Sequence, residues 1–211
     1  MKKIEAVFFD FDGVLIDSLP VMQKAWEISR KSHSLSPKFE EFSKYIGIPF
    51  NNILENLKIS NRKHPFIKET YSKEASKNIN LIKLNHNAKK ILSWLRKNKI
   101  KVAIVTSKDF VRTLELVEYL NLEIDLIVTP EKTLKGKPHP EPLFFAAKGL
   151  SIPMGKAIFI GDMISDMKAA YKAKCKYLHY LCGYQKLSLN SFAYGGYINS
   201  LWEIKEYINL I

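Results

Sequence analysis

The stretch IEAVFFDFDGVLIDS, residues 4–18, decides the fold of this chain. It opens with an apolar run, Ala6–Phe9, that is typical of a buried strand. Asp10 and Asp12 follow, and because positions two apart on a strand face the same side, their carboxylates should lie together and repel each other. Gly13 then allows a sharp turn and a close approach of ligand to backbone. Because ligands of open α/β sheets bind beyond the carboxyl ends of the strands, this stretch predicts a ligand site.

The composition is that of a folded protein with a large core. The 211 residues are 46% hydrophobic and 12% aromatic, which suits one domain or one domain with an insertion. No apolar run is long enough to span a membrane, which takes about 20 residues. The chain has a basic start, but Glu5 and Asp10 interrupt the apolar segment that a signal peptide would need. We therefore expect a cytoplasmic protein without a membrane partner.

The formal net charge is +12, from 33 Lys+Arg against 21 Asp+Glu. Such an excess is compatible with a nucleic-acid partner, with a lysine-rich solvated surface, or with a positive field that attracts anionic substrates. The basic residues are scattered and form no run of five or more. This distribution favours a lysine-rich surface and argues against a nucleic-acid partner, and nothing in the sequence predicts the oligomeric state.

The pattern of elements predicts an α/β fold with a helical insertion. From Asp17 to about Asn80 the apolar residues have helical spacing, and no convincing strand occurs. Beyond Asn85, strands alternate with helices of about ten residues, which predicts a Rossmann-like parallel sheet with helices on both faces. The predicted strands are 101–106, 124–128, 157–160 and, as the last strand, 177–181. Residues 1–16 and 84–211 should form the core domain, and 17–83 an all-helical domain.

Polar residues that could take part in catalysis or ligand binding follow the predicted strands. Because the carboxyl ends of parallel strands meet at one edge of a sheet, these residues should converge. They are Asp10 and Asp12, Thr106 and Ser107, Lys137, and Asp162 with Asp166.

The chemistry of this set is that of a site for phosphate and a divalent cation. Carboxylate oxygens suit a hard cation such as Mg²⁺. Lysine, hydroxyl and backbone N–H groups offer charge and donors to phosphate oxygens. A carboxylate can attack phosphorus to give an aspartyl-phosphate, and a second carboxylate can protonate the leaving oxygen.

Four motifs in this order resemble those of the haloacid dehalogenase superfamily of phosphohydrolases. They are DFDGVLIDS at 10–18, VTSK at 105–108, GKPHPEP at 136–142 and GDMISD at 161–166. The chain looks most similar to phosphoglycolate phosphatase-like and β-phosphoglucomutase-like members. The resemblance implies that the helical insertion is a cap domain that closes over the site to exclude water and select the leaving group.

The resemblance also implies a role for each motif residue. Asp10 would be the nucleophile, and Asp12 the general acid and then the base, with its backbone carbonyl on the metal. Asp162 would complete the Mg²⁺ ligands, and Asp166 would lie behind them or reach the ion through water. Asp166 has a second interpretation, because an aspartate at this position can simply cap the helix that it starts.

The phosphate contacts follow from the same resemblance. Thr106 and the backbone of Ser107 would hold the transferring phosphoryl group. Lys137 would neutralise charge there and orient Asp10.

Three functions remain open at this point. The dehalogenases lack the second aspartate of the first motif, so Asp12 favours phosphoryl chemistry. A phosphomutase of the β-phosphoglucomutase type must hold a second phosphate, for which such enzymes carry an arginine in the cap loop where this chain has Phe50. The leading prediction is therefore a Mg²⁺-dependent phosphatase acting on a small phosphorylated metabolite. A non-catalytic anion- or nucleic-acid-binding protein on the same fold is the third interpretation.

The sequence does not identify the substrate. Candidate substrate contacts in the cap are Lys44, Gly47, Phe50 and Arg62, of which Gly47 belongs to a loop, residues 47–49, that resembles that of phosphoglycolate phosphatases.

Overall fold

The computed structural model describes residues 3–185 and 194–209. The chain divides into two compact units, one made of Met1–Ile16 with Leu84–Ile211 and the other of Asp17–Lys83. The predicted core domain also includes residues 1, 2, 186–193, 210 and 211, which lie outside the described residues.

The described residues form eight strands, and six of them make one sheet in the order β5-β4-β1-β6-β7-β8. Every neighbouring pair in this sheet is parallel. The remaining two, β2 and β3, pair with each other. The strands are β1 Ala6–Phe9, β2 Ile16–Asp17, β3 Lys83–Leu84, β4 Lys101–Val105, β5 Leu126–Val128, β6 Ala157–Gly161, β7 Lys176–Tyr180 and β8 Gly196–Ile198.

Helices cover both faces of this sheet, which confirms the predicted α/β class. The α-helices are α1 Leu19–Ser32, α2 Phe39–Ser43, α3 Phe50–Asn56, α4 His64–Lys77, α5 Ala88–Lys97, α6 Phe110–Tyr119, α7 Glu141–Gly149, α8 Ile164–Ala173 and α9 Ile204–Asn209. Within residues 3–185 and 194–209, no helix is both long and apolar enough to cross a membrane.

The core of the first unit explains why its strands are apolar without alternation. All four residues of β1 are buried, because the strand is central in the sheet and covered on both faces. Phe8, Phe159 and Tyr177 pack there against helix alanines such as Ala146 and Ala169. Small residues let α7 and α8 contact each other and lie close to the strands.

The prediction that 177–181 is the last strand is wrong, since β8 adds a further parallel strand to the edge of the sheet. Two adjacent glycines, Gly195 and Gly196, are more typical of a turn than of a strand, and Gly195 does have a φ of +85°. Ile198 is nevertheless fully buried, and its carbonyl accepts a hydrogen bond from Leu181 N at 3.0 Å. Pairing with β7 and burial of Ile198 outweigh the weak local strand preference.

The strand order places a topological switch point at β1. From β1 the chain first adds β4 and β5 on one side, then returns to add β6, β7 and β8 on the other. A crevice opens where neighbouring connections diverge, outside the carboxyl end of the central strand. The residues that follow β1 therefore lie where this class of sheet binds ligands.

The second unit is helical, with α1 packed along α4. Its centre is aromatic. The Trp26 ring stacks on Phe42 with centroids 4.6 Å apart, and Phe50 lies 4.7 Å from Tyr71. Trp26 Nε1 also donates a hydrogen bond to the Pro37 carbonyl at 3.1 Å. These rings give the short helices of this unit a shared core.

Candidate active site

Parallel register brings Asp10 between the ends of two neighbouring strands. Phe9, the last residue of β1, pairs with Ile104 on one side and Ile160 on the other. Asp10 N donates a hydrogen bond to the Ile160 carbonyl at 2.8 Å, so the chain stays aligned with β6 for one residue beyond the end of β1. Only 4% of Asp10 is exposed, so its carboxylate lies in the crevice with little contact with solvent.

Lys137 forms a buried ion pair with the Asp10 carboxylate. Its Nζ lies 2.9 Å from Asp10 Oδ1, 2.7 Å from Asp166 Oδ1 and 3.2 Å from the Val105 carbonyl. The three donors of this ammonium thus meet three acceptors, and the side chain is 2% exposed. Lys137 lies in the segment between β5 and α7. The prediction that it directly follows a strand is therefore wrong.

Asp162 follows the end of β6 and is completely buried. Its Oδ2 accepts a hydrogen bond from Tyr184 N at 2.6 Å. Gly13, whose φ is +83°, and Gly183 both lie against its side chain, and a Cβ atom at either position would collide with it. The two glycines therefore leave the space that this carboxylate occupies.

Asp166 is the third residue of α8 and also contacts Lys137. Its Oδ2 accepts from Met163 N at 3.0 Å and from Asp162 N at 3.2 Å, as expected for an acidic side chain in the first turn of a helix. Its Oδ1 meets Lys137. The capping role and the site role considered for Asp166 are thus compatible in one side chain.

The electrostatics of this cluster are dominated by burial. Burial raises the pKa of Asp10 to about 7, although Lys137 opposes the rise. Burial, and then the charges of Asp10 and Asp166, raise the pKa of Asp162. Burial alone would lower the pKa of Lys137, but the same two carboxylates raise it above its ordinary value. The carboxylates therefore need more positive charge than the lysine supplies.

The residues present fit a divalent cation. Asp10, Asp162 and Asp166 each offer a carboxylate oxygen, and these atoms all lie within 4.8 Å of one another. Three carboxylates against the one ammonium of Lys137 carry a net charge of −2 when all are ionised. Asp162 Oδ1 is buried and has no hydrogen-bond partner among the described residues. A hard cation would both pair this oxygen and balance the charge.

Asp12 lies at the outer side of the cluster. Its Oδ2 is 3.1 Å from Lys108 Nζ, and both side chains are 13% exposed. Lys108 ends the VTSK motif, and no role was predicted for it from the sequence. The signal that could have found it is its place two residues after Thr106, on the same strand end as a predicted phosphate contact.

Thr106 and Ser107 follow β4 directly, at the same edge of the sheet as Asp10. Thr106 is buried, its N donates to the Val128 carbonyl at 3.0 Å, and its Oγ1 accepts from Lys108 N at 3.2 Å. Ser107 is half-buried. The structure thus brings both to the crevice, and their contact with phosphate stays a prediction.

The cap candidates all lie in the second unit. Lys44 and Arg62 are exposed, and Gly47 has a φ of +101°. The ring of Phe50 packs against Tyr71 and, at 6.2 Å, against Phe42. Contact of these four residues with substrate stays a prediction.

Residues 7–180 match the family model described as haloacid dehalogenase-like hydrolase. The chain belongs to the haloacid dehalogenase-like hydrolase family. Among its relatives, a phosphoglycolate phosphatase of Nitrosococcus oceani is 27% identical, over 99% of this chain and 98% of the relative. A phosphorylated carbohydrates phosphatase of Thermotoga maritima is 29% identical, over 81% of this chain and 82% of the relative.

The fold of this family member agrees with solved structures. A hydrolase from Pseudomonas syringae superimposes with a TM-score of 0.84 at 24% identity, and 98% of each chain is covered. The predicted resemblance is confirmed, and the chain is a phosphoric monoester hydrolase. The interpretation as a non-catalytic binding protein is therefore set aside.

The segment after β7 is the part of the site that the sequence analysis missed. Gly183 and Tyr184 N contact Asp162, and Gln185 Oε1 accepts a hydrogen bond from Ile164 N at 2.8 Å. None of these residues carries a motif, and their contacts depend on the neighbouring strand rather than on local sequence.

Proposed function

We propose that this phosphatase is Mg²⁺-dependent and hydrolyses a small phosphomonoester through an aspartyl-phosphate formed on Asp10. The observation that carries the proposal is the buried contact between Asp10 and Lys137 at 2.9 Å, with Asp162 and Asp166 beside it. A carboxylate held by a lysine at the switch point of the sheet is already positioned for attack.

In the first step, an oxygen of Asp10 forms a bond to phosphorus while the bond from phosphorus to the leaving oxygen breaks. Asp12, protonated, donates its proton to that oxygen, so the leaving group departs as an alcohol. In the second step, Asp12 as a carboxylate removes a proton from water. The water oxygen bonds to phosphorus, the bond to Asp10 breaks, and inorganic phosphate is released.

The side chains around Asp10 and Asp12 have supporting roles. Lys137 fixes Asp10 and balances part of its charge, and Asp166 fixes Lys137. Thr106 and the Ser107 backbone donate to phosphoryl oxygens. Asp10 and Asp162, with the Asp12 carbonyl, would hold Mg²⁺, which when bound neutralises the charge of the carboxylates and of the phosphoryl group.

The substrate that we propose is a small phosphomonoester of the phosphoglycolate or sugar-phosphate type. Two relatives, a phosphoglycolate phosphatase and a phosphorylated carbohydrates phosphatase, support this class. Phe50 supports hydrolysis over mutase chemistry, because at the position where mutases carry an arginine this chain has an apolar ring that packs against Phe42 and Tyr71.

The test is turnover of p-nitrophenyl phosphate with MgCl₂ and with a chelator. Wild-type protein should be active with Mg²⁺ and inactive once the metal is removed. Asp10→Asn, which keeps the size of the side chain but is no nucleophile, should lower kcat by about 1000-fold or more.

The matched control is Asp125→Asn, because Asp125 is partly exposed and binds Lys101 and Val102 N at the amino end of β4. This variant should keep wild-type turnover, and both variants should keep the wild-type circular dichroism spectrum. Unchanged kcat in Asp10→Asn would rule out Asp10 as the nucleophile.

A further inference from the structure

Two lysines contact the catalytic aspartates, and they differ in what their ammonium groups can do. Lys137 is 2% exposed, and its donors meet Asp10, Asp166 and the Val105 carbonyl. Lys108 is 13% exposed and forms an ion pair with Asp12 at 3.1 Å. Lys137 is thus committed to the protein, whereas Lys108 stands at the solvent-facing side of the cluster.

The position of Lys108 is fixed by the end of β4 and the start of α6. Its backbone N donates to Thr106 Oγ1 at 3.2 Å, and the next residue, Asp109, accepts from Arg112 N as the cap of α6. The backbone on both sides is therefore anchored. From this fixed backbone the side chain of Lys108 reaches Asp12.

We propose that Lys108 binds an anionic group on the leaving portion of the substrate, so that the enzyme selects phosphomonoesters whose leaving group carries a carboxylate or a second phosphate. This inference rests on the proposed function, in which Asp12 protonates the leaving oxygen. A hydrogen bond of about 3 Å joins Asp12 to that oxygen. Lys108 Nζ is a further 3.1 Å from Asp12.

The leaving oxygen consequently lies within about 6 Å of the ammonium, the sum of two hydrogen-bond lengths. A carboxylate one methylene group away from that oxygen reaches Lys108 directly. Because the site is mostly shielded from water, a charge-assisted hydrogen bond there is stronger than one at an open surface. A neutral leaving group of the same size can accept only an ordinary hydrogen bond from this lysine and forms no ion pair with it.

The experiment compares two substrates of matched size, phosphoglycolate and 2-hydroxyethyl phosphate, with pyrophosphate as a second anionic arm. We expect Lys108→Met to lower the ratio of kcat/KM for phosphoglycolate over 2-hydroxyethyl phosphate by about tenfold or more, mainly through KM. Lys108→Arg, which keeps the charge, should retain most of the ratio. An equal fall for pyrophosphate would identify charge as the feature recognised, and a fall for phosphoglycolate alone would identify the carboxylate.

The matched control is Lys101→Met, at the opposite end of the same strand. Lys101 also forms an ion pair with an aspartate, Asp125, at 3.0 Å, but its side chain is 53% exposed and far from Asp10 along β4. This variant should leave the substrate ratio unchanged.

Two results would overturn the inference alone. One is an equal loss on all substrates in Lys108→Met, which would mean that the lysine only holds Asp12. The other is a wild-type enzyme that hydrolyses p-nitrophenyl phosphate but has no preference for the anionic substrates. Absence of turnover of every phosphomonoester by wild-type protein would instead overturn the proposed function, and the inference with it.

Discussion

Burial separates residues of the same type in this protein. Lys137 and Lys101 both bind aspartates at about the same distance, 2.9 Å and 3.0 Å, yet the first side chain is 2% exposed and the second 53%. An exposed pair of this kind contributes little to stability because water and salt screen it. A buried pair leaves an uncompensated charge when one partner is removed, so substitutions of Lys137 should affect folding as well as catalysis.

The two cysteines offer a direct test of burial at the scale of one side chain. Cys175 is buried and Cys182 is exposed. Burial raises the pKa of the Cys175 thiol to about 12, so the reactive thiolate is scarce at neutral pH. We expect one thiol per native chain to react quickly with a disulfide reagent such as Ellman's reagent, and two after denaturation. Rapid labelling of native Cys182→Ser protein would contradict the buried position of Cys175.

At the scale of elements, caps set the ends of helices more sharply than apolar patterns do. The sequence predicts a helix over 109–120, and α6 spans Phe110–Tyr119 because Asp109 caps it. Asp109 Oδ1 accepts from Arg112 N at 3.1 Å, and this bond satisfies one of the free N–H groups of the first turn. The same turn follows directly on Lys108, so the cap also anchors the site.

Asp109→Ala should therefore destabilise the protein by about 1 kcal/mol, the usual cost of losing a side-chain cap. Urea unfolding followed by circular dichroism measures this difference. Asp109→Ser keeps an oxygen at the cap position and should recover most of the loss. Equal stability of the alanine variant and wild type would show that this cap contributes nothing.

At the scale of the whole molecule, the proposed metal site would couple metal binding to folding. Asp10, Asp162 and Asp166 lie together only in the folded chain, so an ion that they bind stabilises the folded state over the unfolded one. At 100 times its Kd, Mg²⁺ should add about 2.7 kcal/mol. For a chain of this size, each kcal/mol corresponds to about 2–4 °C in Tm. Thermal unfolding in MgCl₂, against NaCl of equal ionic strength, measures the shift.

Asp162→Asn distinguishes specific binding from a general salt effect. The variant keeps an oxygen that can accept from Tyr184 N, but it removes one of the three buried carboxylates. Its Tm without metal should equal or exceed that of wild type, because charge repulsion is relieved. Its Mg²⁺-dependent shift should disappear, and a shift as large as that of wild type would exclude Asp162 as a ligand.

The local sequence by itself determined most strands of the sheet, the family and several residues of the site. Apolar runs such as Ala6–Phe9 predicted the strands of the sheet other than β8, because a strand buried on both faces must be apolar throughout. The four motifs predicted the family and its reaction, because each motif places its reactive residue after a strand or before a helix. Asp10, Asp162 and Lys137 were named from these patterns, and the structure brings them together.

What only the tertiary structure decided depends on neighbours distant in the chain. The strand β8 exists because β7 provides its partner, and Gly183, which follows β7, contacts Asp162 at the end of the neighbouring strand β6. The ion pair between Lys108 and Asp12 joins residues that lie 96 positions apart in the sequence. The place of Lys108 in its motif indicates the edge of the sheet but not the partner, because such contacts form only when the sheet aligns separate strand ends at one edge.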